Sequence, residues 1–320
     1  MTVALIEMIA ALALSTSLAA PPDTVEGVHF RVYRADGTAA EFSDIIEAGL
    51  TADVVLVGET HNDPIGHALE YSLLSSLAEG VNGQRAVALS LEMFEQDVQL
   101  VIDEYLAGEI SEPHFLRSSR PWSNYKSDYR PSVEYARENG LPVLAANAPR
   151  RYVNRVTRLG PESLAGLSES AKGFLPPVPW APASEAYRAR WEALMAESMA
   201  SMPAPADSSA NPHPAEGAMR YALDSQSLWD ASMAYTITER LMDEPGSLVV
   251  HFVGSFHIAT GTGLPEQIQR YRPATRTLIV TIRPTASIDE FDEVEFSGLG
   301  DFVVLTDEAY TDDGSSGPGG

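Results

Sequence analysis

Val54-Val55-Leu56-Val57-Gly58-Glu59-Thr60-His61 is the stretch that decides the fold. Four apolar residues in a row read as a strand buried on both faces, the habit of parallel sheets covered by helices. The run stops at a glycine and then presents a carboxylate and an imidazole. The pattern returns two hundred residues later in Leu248-Val249-Val250-His251-Phe252-Val253-Gly254-Ser255-Phe256-His257. A third run, Ala86-Val87-Ala88-Leu89-Ser90-Leu91, ends in Glu92. Residues just past the carboxyl ends of parallel strands line the ligand crevice. A glycine there lets the backbone turn sharply. Glu59, His61, Glu92 and His257 are therefore expected to share one site.

Working outward, the apolar spacing gives a strand at His29–Tyr33, a helix at Ser43–Ala48 and a helix at 64–78 carrying Ile65, Leu69, Leu73 and Leu77. The strand at 86–91 is followed by a helix at 95–107. Then come a helix at 132–139, a strand at Leu141–Ala145 and a helix at Arg150–Arg158. Residues 161–242 show helical segments without strand candidates, and strands resume at 248–253, 278–282 and 302–305. The alternation predicts an α/β fold: one domain over 28–306, a parallel-rich sheet with flanking helices, and an inserted helical subdomain at about 161–242. The Pro/Ala/Ser-rich break at Pro203–Pro214 reads as a flexible loop. The acidic, then Gly/Ser-rich, stretch 307–320 reads as a disordered tail.

Composition narrows the chemistry. The 320 residues contain no cysteine, which excludes disulfides, thiolate ligands and cysteine nucleophiles. A net charge of −24, from 45 acidic and 21 basic residues, argues against nucleic acid as a partner. Yet nine basic residues (Arg117, Arg120, Lys126, Arg130, Arg137, Arg150, Arg151, Arg155, Arg158) face three acidic ones between 117 and 158. That segment either receives an anionic ligand or forms solvated helix faces. Met8–Ala20 resembles the apolar core of an export signal, with Ser17-Leu18-Ala19 as the cleavage site. The expectation is an exported, periplasmic or otherwise extracytoplasmic protein that loses about its first nineteen residues. The segment is too short and interrupted for a membrane span, and without cysteine it is not a lipoprotein signal. There is no Gly-x-Ser-x-Gly elbow, P-loop or dinucleotide fingerprint.

Each candidate residue has a bland alternative. Glu59 can orient His61 and raise its basicity, or belong to a capping network before Pro64, where Asn62 or Asp63 starts a helix. His67 is either a contact of a bound anion or a residue supporting the site. A carboxylate at Glu92 is expensive after an apolar strand unless it is paired. His251, within a strand, reads as a core histidine, and His29, His114 and His213 have no supporting context. Trp122, Tyr125 and Tyr129 lie among Arg117, Arg120, Lys126 and Arg130. They form either an aromatic slot with a cationic rim or a packed cluster over the sheet. Gln226, Trp229, Asp230 and Met233 have helical spacing and are read as packing against the crevice.

Gly58-Glu59-Thr60-His61-Asn62-Asp63-Pro64-Ile65-Gly66-His67 resembles the first motif of the ChaN-like haem-binding uptake family, within the Tiki superfamily that also holds TraB-like proteins and erythromycin esterases. Further pieces follow in order: Leu91-Glu92-Met93-Phe94; Trp122, Tyr129 and Pro131; Ala145-Ala146-Asn147-Ala148-Pro149-Arg150; Gln226 to Ala234; and Gly254-Ser255-Phe256-His257 before Gly263-Leu264-Pro265. The resemblance covers roughly 28–285. It implies a cell-envelope protein of haem or iron uptake that binds haem as a homodimer with facing haems, a tyrosine on iron and basic side chains on the propionates. The family match does not itself align that tyrosine. From the aromatic, basic segment, Tyr129 is the first choice and Tyr125 the second, with Tyr187 and Tyr221 as rivals. Arg120, Lys126 and Arg130, with His67, are the candidates for the propionates. Other branches of the superfamily imply the alternative, a metal- or Glu/His-dependent hydrolase. There Glu59 or Glu92 is the general base, and Glu59, His61, Glu92 and His257 hold a divalent metal or polarise a carbonyl. A scaffold that has lost its ligand is the third possibility.

Overall fold

A computed structural model describes residues 28–201 and 220–310, apart from the side chains of 199–201. The stretch read as an export signal, the break at Pro203–Pro214 and the tail beyond Tyr310 lie outside the described residues. In chain order the strands are β1 (Phe30–Arg34), β2 (Ala39–Ala40), β3 (Val54–Glu59), β4 (Val87–Glu95), β5 (Val143–Asn147), β6 (Leu248–Gly254), β7 (Thr277–Thr285) and β8 (Phe302–Asp307). The helices are α1 (Phe42–Thr51), α2 (Pro64–Gly80), α3 (Gln99–Leu106), α4 (Glu112–Ser119), α5 (Arg130–Glu138), α6 (Arg150–Leu159), α7 (Glu169–Lys172), α8 (Glu185–Ser201), α9 (Ala222–Asp243), α10 (Leu264–Tyr271) and α11 (Glu293–Phe296).

The strands form one sheet in the order β2-β1-β8-β7-β3-β6-β4-β5. Strand β1 runs antiparallel to its neighbours β2 and β8, and the remaining pairs are parallel. This is the α/β, parallel-rich sheet with flanking helices that the apolar runs imply. All six residues of β3 are buried. Because successive side chains point to opposite faces, Val55 and Val57 join a cluster with Ile45, Ile65, Leu69, Leu73 and Leu77 under α1 and α2. Val54 and Leu56 join Met233, Ile237, Leu264 and Ile268 under α9 and α10. Each such side chain contributes about 1.5–3 kcal/mol on full burial, so neither face can be left to water.

Between β5 and β6 the described residues contain no strand. The stretch is nevertheless not a detached insertion, since α9 forms the cover of the sheet's second face through Met233, Ala234, Ile237 and Leu241. The elements that the spacing does not reveal are short or polar. Strand β2 has two residues and depends on the turn at Gly37, where Arg34 N–H donates to Thr38 O at 2.8 Å. Helix α4 buries only Phe115 and Ser119. No helix among the described residues is long and apolar enough to cross a membrane.

Candidate functional site

Strand β6 arrives from far along the chain and lies between β3 and β4, so the two Gly-x-x-His strings become neighbours. Glu59 pairs with Gly254 in the register. The glycines serve close approach. Gly58 lies inside β3, where no turn occurs, whereas Gly254 closes β6 and leads into a 3-10 turn at Ser255–His257; neither has a positive φ. A Cβ on Gly58 would come 2.8 Å from Ile258 Cδ1 and 3.0 Å from Ser255 Cα. One on Gly254 would come 3.1 Å from His61 Cε1 and 3.2 Å from its Nε2. The imidazole of His61 thus rests on bare backbone.

Glu59 closes β3 with its carboxylate buried. His61 Nδ1 lies 2.6 Å from Glu59 Oε1, and the Tyr129 hydroxyl donates to the same oxygen. His67, on α2, is also buried; its Nδ1 is 2.9 Å from Glu70 Oε2 and 3.3 Å from Glu59 Oε2. Its Nε2 sits 3.1 Å from the His61 carbonyl and 3.4 Å from Asp128 Oδ2. Helix α2 is aimed by its cap: Asp63 accepts from Ile65 N at 3.0 Å and from the Thr306 hydroxyl at 2.6 Å. Burial pushes the Glu59 carboxyl up, but the hydrogen bond from His61 and the charge of His67 outweigh it and hold it low. The Glu59 bond raises His61 above the ordinary histidine value. Burial and the Glu59 charge push Glu70 well up. Burial works against the charge of His67, yet Glu70 and Glu59 raise it to about 10.

A second unit stands on β4, β6 and α9. Glu92 Oε2 accepts from Gly254 N–H at 2.8 Å, and its Oε1 is 3.6 Å from His257 Nε2. On the other side, His257 Nδ1 is 2.6 Å from Asp230 Oδ1. All three side chains are buried. Burial opposes charge on His257, but Asp230 and Glu92 restore it and raise it to about 10. Glu92 is lowered to about 2, because His257 and the Gly254 N–H outweigh the desolvation of its carboxylate.

The two units meet at a cleft of about 770 Å³ lined by His61, Glu92, Trp122, Asn147, Arg150, Trp229 and His257, among others. This size falls within the roughly 300–1,000 Å³ of small-molecule pockets. The His61 side chain is 45% exposed there, edge-on to Trp122 at 4.7 Å between centroids. Asn147 is buried, with a side-chain oxygen that has no hydrogen-bond partner among the described residues. Arg150 is exposed and makes no ion pair among them.

The structure brings Glu59, His61, Glu92 and His257 together at the carboxyl edge of the sheet, although β4 runs on past Glu92 to Glu95, with an irregular register against β5 between Leu91 and Glu95. Of the other candidates only Arg120 lines the cleft. Tyr129 is 2% exposed and spends its hydroxyl on Glu59, while burial and that carboxylate push the phenol far above its usual range. Tyr125 is sealed among Phe94 and Phe115, and burial likewise holds its phenol neutral. Neither reaches the cleft as a free phenolate in this structure. Tyr187 is also buried, its ring tilted against Phe256, and the Tyr221 ring packs on Gly160. His67 is enclosed by carboxylates and cannot meet an anion. Arg130 is tied to Glu112 at 2.6 Å, and Lys126 is exposed outside the cleft lining. Arg120 does line the cleft but is shared by Asp97 at 2.7 Å and Glu95 at 3.1 Å. His251 is a core histidine, 2.9 Å from Ser90 Oγ, and burial lowers it to about 4. Sequence reasoning did not single out Glu70, nor Asn147 and Arg150 as site residues, and it read Asp230 as packing. The Asn-x-Pro-Arg string after β5 was the available signal for two of them.

The family model described as haem-binding uptake, Tiki superfamily, ChaN, matches residues 45–268. The chain belongs to this family. Among solved structures, the chain resembles the ChaN protein of Campylobacter jejuni, described with cofacial haem binding, at a TM-score of 0.64 and 18% identity. The match covers 87% of this chain and 97% of that one. This likeness shows the shared ChaN fold. The chain is also similar to the chloroplastic protein RETICULATA-RELATED 5 of Arabidopsis thaliana, 25% identical over 250 residues, or 73% of this chain. The matched part makes up 32% of that protein, so the chain spans about a third of its length.

Proposed function

We propose that this ChaN-family protein binds haem in the cleft between the two imidazole–carboxylate units. The observation that carries the reading is His61. Its Nδ1 is fixed by Glu59, its ring is exposed to the cleft, and its Nε2 lies over Gly254. A carboxylate behind a histidine fixes the tautomer and leaves the other nitrogen to ligate. Bound haem would supply an iron that takes a nitrogen or oxygen ligand. The residues present suit it: Trp122 and Trp229 offer apolar surface, and Asn147 offers an unsatisfied amide. Of the two arginines lining the cleft, Arg150 makes no ion pair among the described residues, and so replaces Arg130 and Lys126 as the partner for a propionate. His61 takes the place that the sequence reading gave to a tyrosine.

Hemin titration followed in the Soret region tests this. The wild type is expected to saturate at one hemin per chain. His61→Ala should lose or shift the band, and Tyr129→Phe should leave its position unchanged. Absence of saturable binding by the wild type overturns the reading. Export, a role in haem or iron uptake, and a homodimer with facing haems extend the same proposal. Sedimentation with and without hemin checks the last.

The Glu92–His257–Asp230 array favours a second reading, a hydrolase. A haem slot has no evident use for an imidazolium clamped between two buried carboxylates. With Glu92 held near 2, it is a weak base at neutral pH. His257 and His61 would instead polarise a carbonyl, and Glu59 would orient His61. Turnover of chromogenic esters that is lost in His257→Ala supports this reading; no turnover by the wild type removes it.

A further inference from the structure

Behind His61, away from the cleft, lies a second cluster that haem binding does not use. Glu59, His67 and Glu70 are 3%, 5% and 1% exposed. One ligand atom from each lies within 4.8 Å of the others. Neither Glu59 Oε2 nor Glu70 Oε1 has a hydrogen-bond partner among the described residues. Two orphaned carboxylate oxygens at this depth are costly, and buried charges are ordinarily paired or coordinate a metal.

We propose that Glu59, His67 and Glu70 form a site for a divalent first-row transition-metal ion beneath the haem cleft. The inference does not depend on the haem reading. Every other polar atom of the three is already committed in the way that supports a metal ligand. Glu59 Oε1 receives the Tyr129 hydroxyl and faces His61 Nδ1, which leaves Oε2 without a hydrogen bond among the described residues and 3.3 Å from His67 Nδ1. His67 Nε2–H points at the His61 carbonyl at 3.1 Å, with Asp128 Oδ2 at 3.4 Å, so Nδ1 is the nitrogen turned toward Glu70 and Glu59. A ligating histidine characteristically donates its second N–H to a carbonyl or carboxylate.

The donor set is one imidazole nitrogen and two carboxylates. Imidazole favours zinc, iron, nickel and copper over magnesium or calcium, and the carboxylates also suit manganese. Three protein ligands leave coordination positions open. The site is linked to the cleft by one residue. Glu59 presents Oε2 to the proposed ion and Oε1 to His61, so an ion there competes with His61 for the electron density of a single carboxylate. Its occupancy would set how strongly Glu59 orients the imidazole at the cleft.

The test uses the chain without hemin. Apo protein is titrated with Zn²⁺ and Mn²⁺ by calorimetry, with Mg²⁺ for comparison, and with Co²⁺ read by its visible d–d bands. One Zn²⁺ or Co²⁺ per chain is expected, with Mg²⁺ far weaker. Glu70→Gln, nearly the same shape, should abolish saturable binding with the far-ultraviolet circular dichroism retained. Tyr129→Phe removes only the donor behind Glu59 and should weaken binding about 10–100-fold. Arg150→Ala, on the cleft side, should leave metal binding unchanged. If the wild type takes up no metal, the cluster is held by protons alone and the proposal fails. It fails equally if Glu70→Gln and Tyr129→Phe bind as the wild type does, since the ion then sits elsewhere. Hemin saturation measured on the same metal-free protein separates failure here from failure of the haem reading.

Discussion

Glu92→Gln removes one negative charge from the buried pair around His257 while keeping an oxygen for the Gly254 N–H. Glu92 is lowered from 4.5 to about 2 in the folded state. At about 1.36 kcal/mol per unit, a shift of that size contributes about 3 kcal/mol. The sign follows from the depressed value. The contribution is complete above the unfolded value near 4.5 and is lost as pH falls through about 2. His257 is the mirror case, raised from 6.5 to about 10. Its contribution is complete below about 6.5 and is lost as pH rises through about 10. Both hold in full near pH 6, so that is where wild type and variant should differ most. Urea denaturation with linear extrapolation measures the gap. We expect about 3 kcal/mol at pH 6, shrinking to less than half of that by pH 3. For a chain of this length each kcal/mol moves the melting temperature by about 2 °C, so the drop at pH 6 is about 6 °C. A folded variant with no deficit at pH 6, or a deficit that grows toward pH 3, would refute the electrostatic account of this site.

Gly254→Ala puts a methyl group 3.1 Å from the His61 ring; hemin affinity should fall about tenfold, a loss near 1.4 kcal/mol. Calorimetry or a Soret titration checks it, and unchanged affinity would mean that His61 moves aside freely. Arg150→Ala should weaken hemin binding by about 10–100-fold through loss of one charge-assisted bond, and should leave the melting temperature alone. Arg85→Ala is the converse. Arg85 donates to the carbonyls of Leu50, Ala52, Gly246 and Ser247, and losing it should cost about 3 kcal/mol in urea denaturation with no change in hemin stoichiometry.

The strand ends were legible because each apolar run stops on the residue that matters. Glu59, Glu92 and the Gly254–His257 turn are marked by the end of an apolar run, a signal that lies in consecutive residues, although burial continues through them. Asp230 was not marked in this way. Nothing local distinguishes it from a packing position on α9, and it becomes a partner of His257 only through tertiary docking. The tyrosines were chosen on composition, which does not tell an open aromatic slot from a packed cluster over the sheet. Residues Tyr125–Tyr129 form a π-helical turn in which both tyrosine rings are buried. Arg130 looked free because its partner Glu112 sits on α4, a helix whose apolar content is too small for its periodicity to show. The fold needed only the apolar runs, whereas the site also needed contacts between residues far apart in sequence.

Strand β1 pairs with β8 along its whole length, Phe30 opposite Thr306 and Arg34 opposite Phe302. The two ends of the described chain therefore meet, and the rings of His29 and Tyr310 lie 4.9 Å apart. They meet at one flank of the sheet, with β7 between that seam and the β3–β6–β4 centre that carries the cleft. Adjacent ends are the condition for relocating the opening of a chain without undoing its architecture. A short linker joining residue 310 to residue 28 would permit a circular permutant opened at the exposed turn of Gly108 and Glu109. By the same geometry this unit could be spliced into a longer polypeptide through both ends at that one seam.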